Sequence, residues 1–117
     1  MESILTSIKK LLGISEEDEN FDTDVMFHIN TVFMTLNQLG VGPEEGYVIT
    51  SDMETWNNFL GDESTAKSIQ AVKTYTYLNV KILFDPPPSS SALSAMQRES
   101  DKLEWRICQQ IELNKEV

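Results

Sequence analysis

The sequence is poor in cysteine, histidine, glycine, proline and positive charge, and each shortage excludes something. Of its 117 residues only Cys108 is a cysteine, so the chain forms no internal disulfide, and we expect synthesis in the cytosol. No apolar run approaches the roughly 20 residues that cross a bilayer. The first residues also lack the charge-then-apolar order of a signal peptide. Five glycines and four prolines leave room for long helices.

Negative charge is what the sequence has in excess, and it is unevenly placed. The formal net charge is −10, which disfavours binding to nucleic-acid phosphates by counterion release. Residues 1–65 carry thirteen acidic and two basic residues, a net charge of −11, whereas residues 66–117 carry six and seven, a net charge of +1. The acidic half is interpreted either as solvated loops or as a surface that meets the basic end of another subunit.

Residue types that bind metals or perform catalysis occur without the partners that such chemistry needs. Residues 18–29 begin like a calcium loop, but Thr23 and Ile29 stand where glycine and glutamate are required. His28, the only histidine, lies one helical turn from Asp24, which favours a surface ion pair. No phosphate-binding glycine loop, nucleophile elbow or zinc motif occurs. We therefore expect no enzymatic activity, no metal and no cofactor.

Hydrophobic periodicity predicts an all-α fold, a single domain of four or five helices around a long central helix. The central helix is the one at residues 64–84, because its apolar residues surround most of its circumference. A proline- and serine-rich linker at residues 85–91 precedes the last helix. The predicted helices span residues 2–12, about 22–39, a short stretch after 51, about 64–84 and about 92–113.

Capping signals set the expected starts of two helices. Asp22 is predicted to cap the second helix. Ser51 and Glu54 have the spacing of a capping box and are predicted to open the short helix, with Trp56 in the core. Between these helices, residues 44–50 are predicted to form a loop or a short strand.

The second helix has apolar residues on two opposite faces. Phe27 and Met34 project away from the main apolar face and need cover. Either the helix is buried on both sides within its own domain, or a partner supplies that cover. The main face, which we expect to point into the core, consists of Val25, Ile29, Val32, Phe33, Leu36 and Leu39.

The last helix carries a basic ridge, defined here as Arg98, Lys102 and Arg106 together with the neighbouring Trp105. Like charges four residues apart repel along a helix, so local helix stability does not account for them. Arginine and tryptophan are enriched among interface anchors. The alternative is that Trp105 is ordinary core and that nearby acids of the same helix neutralise the cations, namely Glu99, Asp101 and Glu104.

Three stretches resemble the head–tail connector proteins, also called head-completion or adaptor proteins, of tailed bacteriophages. They are residues 33–42 (FMTLNQLGVG), residues 72–87 (VKTYTYLNVKILFDPP) and residues 102–106 (KLEWR). The resemblance covers nearly the whole chain, from about residue 5 to residue 107. It implies a helical subunit that joins the portal protein as a ring and extends the DNA channel toward the tail.

The same resemblance implies the partners: further copies of this chain, the portal protein, and a tail or stopper protein. It places the protein at the virion head–tail junction, assembled in the host cytoplasm and without a membrane. Genomic DNA would pass through the ring without specific binding. Because head-to-tail contacts in a ring join two different surfaces, we expect the basic ridge to dock on an acidic surface. The candidates are residues 16–24 of the next subunit, with Glu16 and Glu17, or the portal.

Two other classes of function compete with a connector. An acidic inhibitor that mimics DNA would need ordered carboxylates at phosphate-like spacing, whereas the densest acidic run, residues 16–19, is predicted to lie in a loop. A small metal-dependent enzyme would contain bound metal and would melt differently after chelation. Sizing separates the first alternative from a connector, because a mimic is typically a monomer or dimer.

Overall fold

Five α-helices form the fold in the computed structural model, which describes residues 2–61 and 64–115, with side chains as far as residue 112. Within those residues the only β-type pairing is one isolated antiparallel bridge between Ser3 and Thr55. The prediction of an all-α fold is therefore confirmed. The helices are α1 (Ile4–Leu11), α2 (Asp22–Gln38), α3 (Trp56–Leu60), α4 (Ala66–Phe84) and α5 (Ser90–Lys115).

Helix α4 lies at the centre and packs against α1, α2 and α5. Its side chains Val72, Tyr75, Leu78 and Val80 are buried, which is the environment predicted for a helix with apolar residues on most sides. The burial is incomplete at its end, where Leu83 is half exposed. Five of the six side chains predicted for the inner face of α2 are fully buried and the sixth, Leu39, is partly buried, so that face is confirmed as core.

An aromatic cluster packs between α2, α3 and the loop that precedes α3. The ring of Phe33 on α2 stacks on Phe59 of α3 with centroids 4.2 Å apart, and Tyr47 stacks on the same Phe59 ring at 5.3 Å. Trp56 is buried, as predicted, and its indole N–H donates to the Ser7 hydroxyl at 2.9 Å. The cluster therefore joins α1, α2 and α3, and the one polar atom of Trp56 is satisfied.

Helix α5 runs antiparallel to α4 and is held to it by a narrow seam. Leu103 and Ile107 are buried there. Ser100, which interrupts the apolar seam in the sequence, is buried as well and accepts a hydrogen bond from the side-chain amide of Asn79 at 2.9 Å. A polar pair thus occupies the gap, because the half-buried Asn79 amide supplies the partner of the buried Ser100 hydroxyl.

The predicted capping box at Ser51 is wrong. The Glu54 carboxylate does accept hydrogen bonds from the Ser51 amide and hydroxyl, at 3.2 and 3.0 Å. However, the Glu54 carbonyl accepts from the amide of Ile4 at 3.0 Å, which holds this stretch extended beside α1. The helix begins only at Trp56, where Thr55 and Asn58 form the capping box.

Two other predicted boundaries also change. Asp22 does not cap α2, since Phe21 occupies the cap position and makes no side-chain capping bond. The last helix begins at Ser90 rather than after residue 91, so the linker is two residues shorter than predicted. The Ser89 hydroxyl lies at its start and accepts from the amide of Ala92 at 3.3 Å, which is the usual role of a serine at a helix N-terminus.

Candidate protein interface

The basic ridge lies on the side of α5 that points away from the core. Arg98, Lys102 and Arg106 are all exposed, and Trp105 has 64% of its surface exposed. At about 1.5 Å rise per residue the three cations extend over about 12 Å of one helix face. Lys102, Trp105 and Arg106 line a shallow open depression together with Asp101.

The alternative account of the ridge, neutralisation within its own helix around a core tryptophan, is wrong in its second part. The exposure of Trp105 excludes a core role. Among residues 2–61 and 64–112, whose side chains are described, none of the three cations has a salt bridge. The nearby Glu104 carboxylate instead accepts a hydrogen bond from the Tyr75 hydroxyl at 3.2 Å. The structure thus contradicts the core role of Trp105 and shows no direct ion pair for the three cations, whereas neutralisation by the nearby acids of the same helix stays an open interpretation.

The acidic loop between α1 and α2 is anchored by one buried lysine. The ammonium of Lys9, a residue only 3% exposed, lies 2.8 Å from Asp22 Oδ1 and donates to the Glu16 carbonyl at 3.1 Å. Apart from this ion pair, that buried carboxylate oxygen has no hydrogen-bond partner among the described residues. The middle of the loop and the first residue of α2 are thus tied to α1, while the Glu16 and Glu17 side chains remain exposed.

Sequence reasoning missed the role of Lys9 because a lysine in the last turn of a short amphipathic helix is usually solvent exposed. The detectable signal is its position one residue after Ile8, on the edge of the apolar stripe. At Glu17, a hydrogen bond from the Ser15 hydroxyl, 2.5 Å away, is the main cause of a lowered carboxyl pKa. This carboxylate therefore remains charged at neutral pH.

The outer face of α2 is open in the single chain. Phe27 is 68% exposed and Met34 is 60% exposed, so the interpretation that α2 is buried on both sides within its own domain is wrong. That these two side chains meet a partner stays a prediction. Exposed apolar groups of this size, on one helix face, are typical of surfaces that bind another molecule.

A groove of about 140 Å³ continues this outer face toward α4. Leu83, half exposed, lies on its α4 side. On the other side of α2, Asn30 exchanges two hydrogen bonds with the backbone of Ile49, at 2.8 and 3.0 Å, which places the exposed Val48 beside the helix. The groove is lined by Thr31, Val32, Thr35, Tyr75, Asn79, Ile82 and Leu83.

Comparison with known proteins decides the family of this chain. Its sequence matches the phage connector protein family over residues 4–114, nearly the full length. The chain belongs to the phage connector family. No curated protein and no solved structure matches it.

Membership of the connector family assigns a structural role in the phage particle, in association with portal and other virion components at the head–tail junction. In the described part of this connector no three or more His, Cys, Asp or Glu side chains converge as a group that could hold a metal ion. Among the same residues no helix has the length and hydrophobicity of a membrane span.

The predicted ion pair of His28 is wrong for this connector. No His28–Asp24 salt bridge occurs among the described residues. The imidazole packs edge-on against two aromatic rings, with centroids 5.7 Å from Phe27 and 6.2 Å from Phe84. Its position on the side of α2 that faces the end of α4 explains the difference, since the ring of Phe84 lies beside the half-buried imidazole.

Proposed function

We propose that this connector is one subunit of a ring that docks on the portal protein and extends the DNA channel toward the tail. The observation that carries the proposal is the match to the phage connector family along nearly the whole chain. On the tail side the ring would meet a tail or stopper protein, so each subunit contacts a neighbour, the portal and a tail component.

Two chemically different exposed surfaces support ring formation. A closed ring is built from heterologous contacts, in which one surface of a subunit meets a different surface of the next. This chain offers the basic ridge on α5 and, on separate elements, the acidic loop and the exposed apolar residues of α2. A self-complementary dimer needs only one patch, so the presence of two unlike patches favours a ring.

The charge of the chain suits a channel through which DNA moves. A net charge of −10 per subunit gives the ring a negative potential that repels phosphates, so DNA would slide through rather than adhere. Tight binding of the assembled ring to duplex DNA would contradict this part of the proposal.

The proposal is tested by mixing the purified protein with the isolated portal of the same phage and then measuring mass and shape. Size-exclusion chromatography with light scattering should give one complex heavier than the portal, and electron microscopy should show an added ring on the portal axis. The protein and the portal run separately serve as controls. A chain that stays a monomer or dimer and never joins the portal would contradict the proposal and favour the DNA-mimic alternative.

A further inference from the structure

We propose that the basic ridge of one subunit docks on an acidic–aromatic face of the next copy of the same chain. The acidic–aromatic face is defined as Glu16, Glu17, Asp24 and Phe27. This inference rests on the proposed ring and deepens it, because it names the two surfaces that meet between neighbours.

The ridge has the composition of one half of an interface. Its indole is 64% exposed, and its three cations have no salt bridge to any carboxylate among the described side chains. Keeping a large aromatic group in water forgoes a favourable burial. Arginine and tryptophan are both enriched among the residues that dominate binding energy at interfaces.

The acidic–aromatic face has the complementary composition. Asp24 and Phe27, both exposed, lie three residues apart in α2 and therefore on neighbouring positions of one helix face. Glu16 and Glu17 project from the loop before that helix, and the Lys9 ammonium contacts both the Glu16 carbonyl and the Asp22 carboxylate at the helix start. An arginine placed over the Phe27 ring would gain a cation–π contact beside its ion pairs.

A second copy fits better than a contact within one chain. Leu103 and Ile107 turn one side of α5 into the core, so the ridge faces away from the domain to which the acidic loop belongs. Each surface is consequently left without its complement in the single subunit. When every copy presents both surfaces, the same contact repeats from neighbour to neighbour, as a ring requires.

The first test places a cross-link across the proposed contact in the portal-bound protein. In a Cys108→Ser background, Asp101→Cys marks the ridge and Thr23→Cys marks the acidic–aromatic face, and both positions are exposed. A bismaleimide should link chains that carry both cysteines into a ladder of dimers, trimers and higher oligomers. Chains with either cysteine alone should remain single, because the contact joins one surface to the other.

Charge reversal then tests the chemistry of the contact. Arg98→Glu with Arg106→Glu should reduce the ladder about tenfold or more, since like charges would face each other. Glu16→Lys with Glu17→Lys in the neighbouring copy should partly restore it, and rising salt should weaken the wild-type contact. Lys10→Glu with Lys67→Glu changes the net charge equally at exposed lysines outside the ridge, and it should leave the ladder intact.

Phe27→Ser tests the aromatic part of the face. The variant should lower the yield of cross-linked oligomers. The isolated chain should keep nearly the same melting temperature, because the Phe27 ring is 68% exposed. Severe unfolding of the single chain would contradict the assignment of Phe27 to an interface.

The outcomes separate this inference from the proposed function. Portal binding by the chain that carries both engineered cysteines, without a ladder, would overturn the ridge–face contact and leave the ring proposal standing. Loss of portal binding by Arg98→Glu with Arg106→Glu, measured on single subunits, would assign the ridge to the portal and also overturn the inference. If the wild type never binds the portal, the ring proposal falls, and a ladder in concentrated free protein then supports or refutes the contact by itself.

Discussion

Helices α4 and α5 lie side by side, yet different contacts account for the residues that each helix carries. Helix α4 packs against three other helices and buries side chains around much of its circumference. Helix α5 is longer but buries little beyond Ser100, Leu103 and Ile107 among its described side chains. Core packing explains the residues of α4, whereas it leaves the outward residues of α5 unexplained. Assembly is what we propose as their explanation.

The largest expected difference between the two helices is the cost of removing an apolar side chain. Leu78 on α4 is buried, so Leu78→Ala should lower the free energy of unfolding by about 2–5 kcal/mol through lost burial and a cavity. Chemical denaturation measured by circular dichroism gives this value. A loss below about 0.5 kcal/mol would contradict the central position of α4.

The contact between α4 and α5 at Tyr75 should make the stability of the protein depend on pH in the alkaline range. Two causes raise the pKa of the Tyr75 hydroxyl to about 12: burial, which is the larger, and the negative charge of the nearby Glu104 carboxylate. The unfolded chain loses this proton near pH 10, so the free energy of unfolding should fall between pH 10 and 12, by at most about 1.4 kcal/mol per pH unit. Tyr75→Phe should flatten that slope in denaturation series. An unchanged slope would show that Tyr75 ionises as freely in the fold as in the unfolded chain.

The polar pair within the seam should contribute less. Ser100→Ala removes the acceptor of the Asn79 amide, but that amide also donates to the Tyr75 carbonyl at 2.9 Å. Because one of its two bonds remains, we expect a loss of about 1 kcal/mol. Ser94→Ala, at an exposed position of the same helix, is the matched control. Equal effects at both serines would mean that the buried bond adds nothing.

The smallest effect on stability is expected on the outer side of α5. Trp105→Ala removes the largest side chain of the helix, yet the isolated chain should lose no more than about 0.5 kcal/mol because the indole is already in water. Thermal melting of the free protein checks this value. A loss as large as that of Leu78→Ala would place Trp105 in the core and remove the distinction between the two helices.

Much of the fold could be predicted because the apolar spacing is regular. The inner face of α2 follows from the periodicity alone, and all six residues predicted there are buried or partly buried. The start of α3 could not be predicted from the sequence, because the Ser51–Glu54 spacing satisfies the capping pattern while the backbone is paired with α1. That pairing joins residues some fifty positions apart, which a local pattern cannot contain.

The candidate interface was only partly predictable, again because some of its contacts join segments that are far apart in the sequence. The outward positions of Phe27 and Arg106 follow from helical spacing. The anchoring of the acidic loop by Lys9 and of the loop before α3 by Asn30 depends on contacts between distant segments. Lysine and asparagine are common in exposed positions, so nothing in their local sequence identifies these two as anchors.

The most direct test of the account is an electron cryomicroscopy map of the connector bound to its portal, at a resolution that shows side chains. We expect a closed ring on the portal axis, with Arg98, Lys102, Trp105 and Arg106 of each copy against the start of α2 in the next. A ring in which these side chains face solvent, or a portal that binds isolated subunits, would contradict the account.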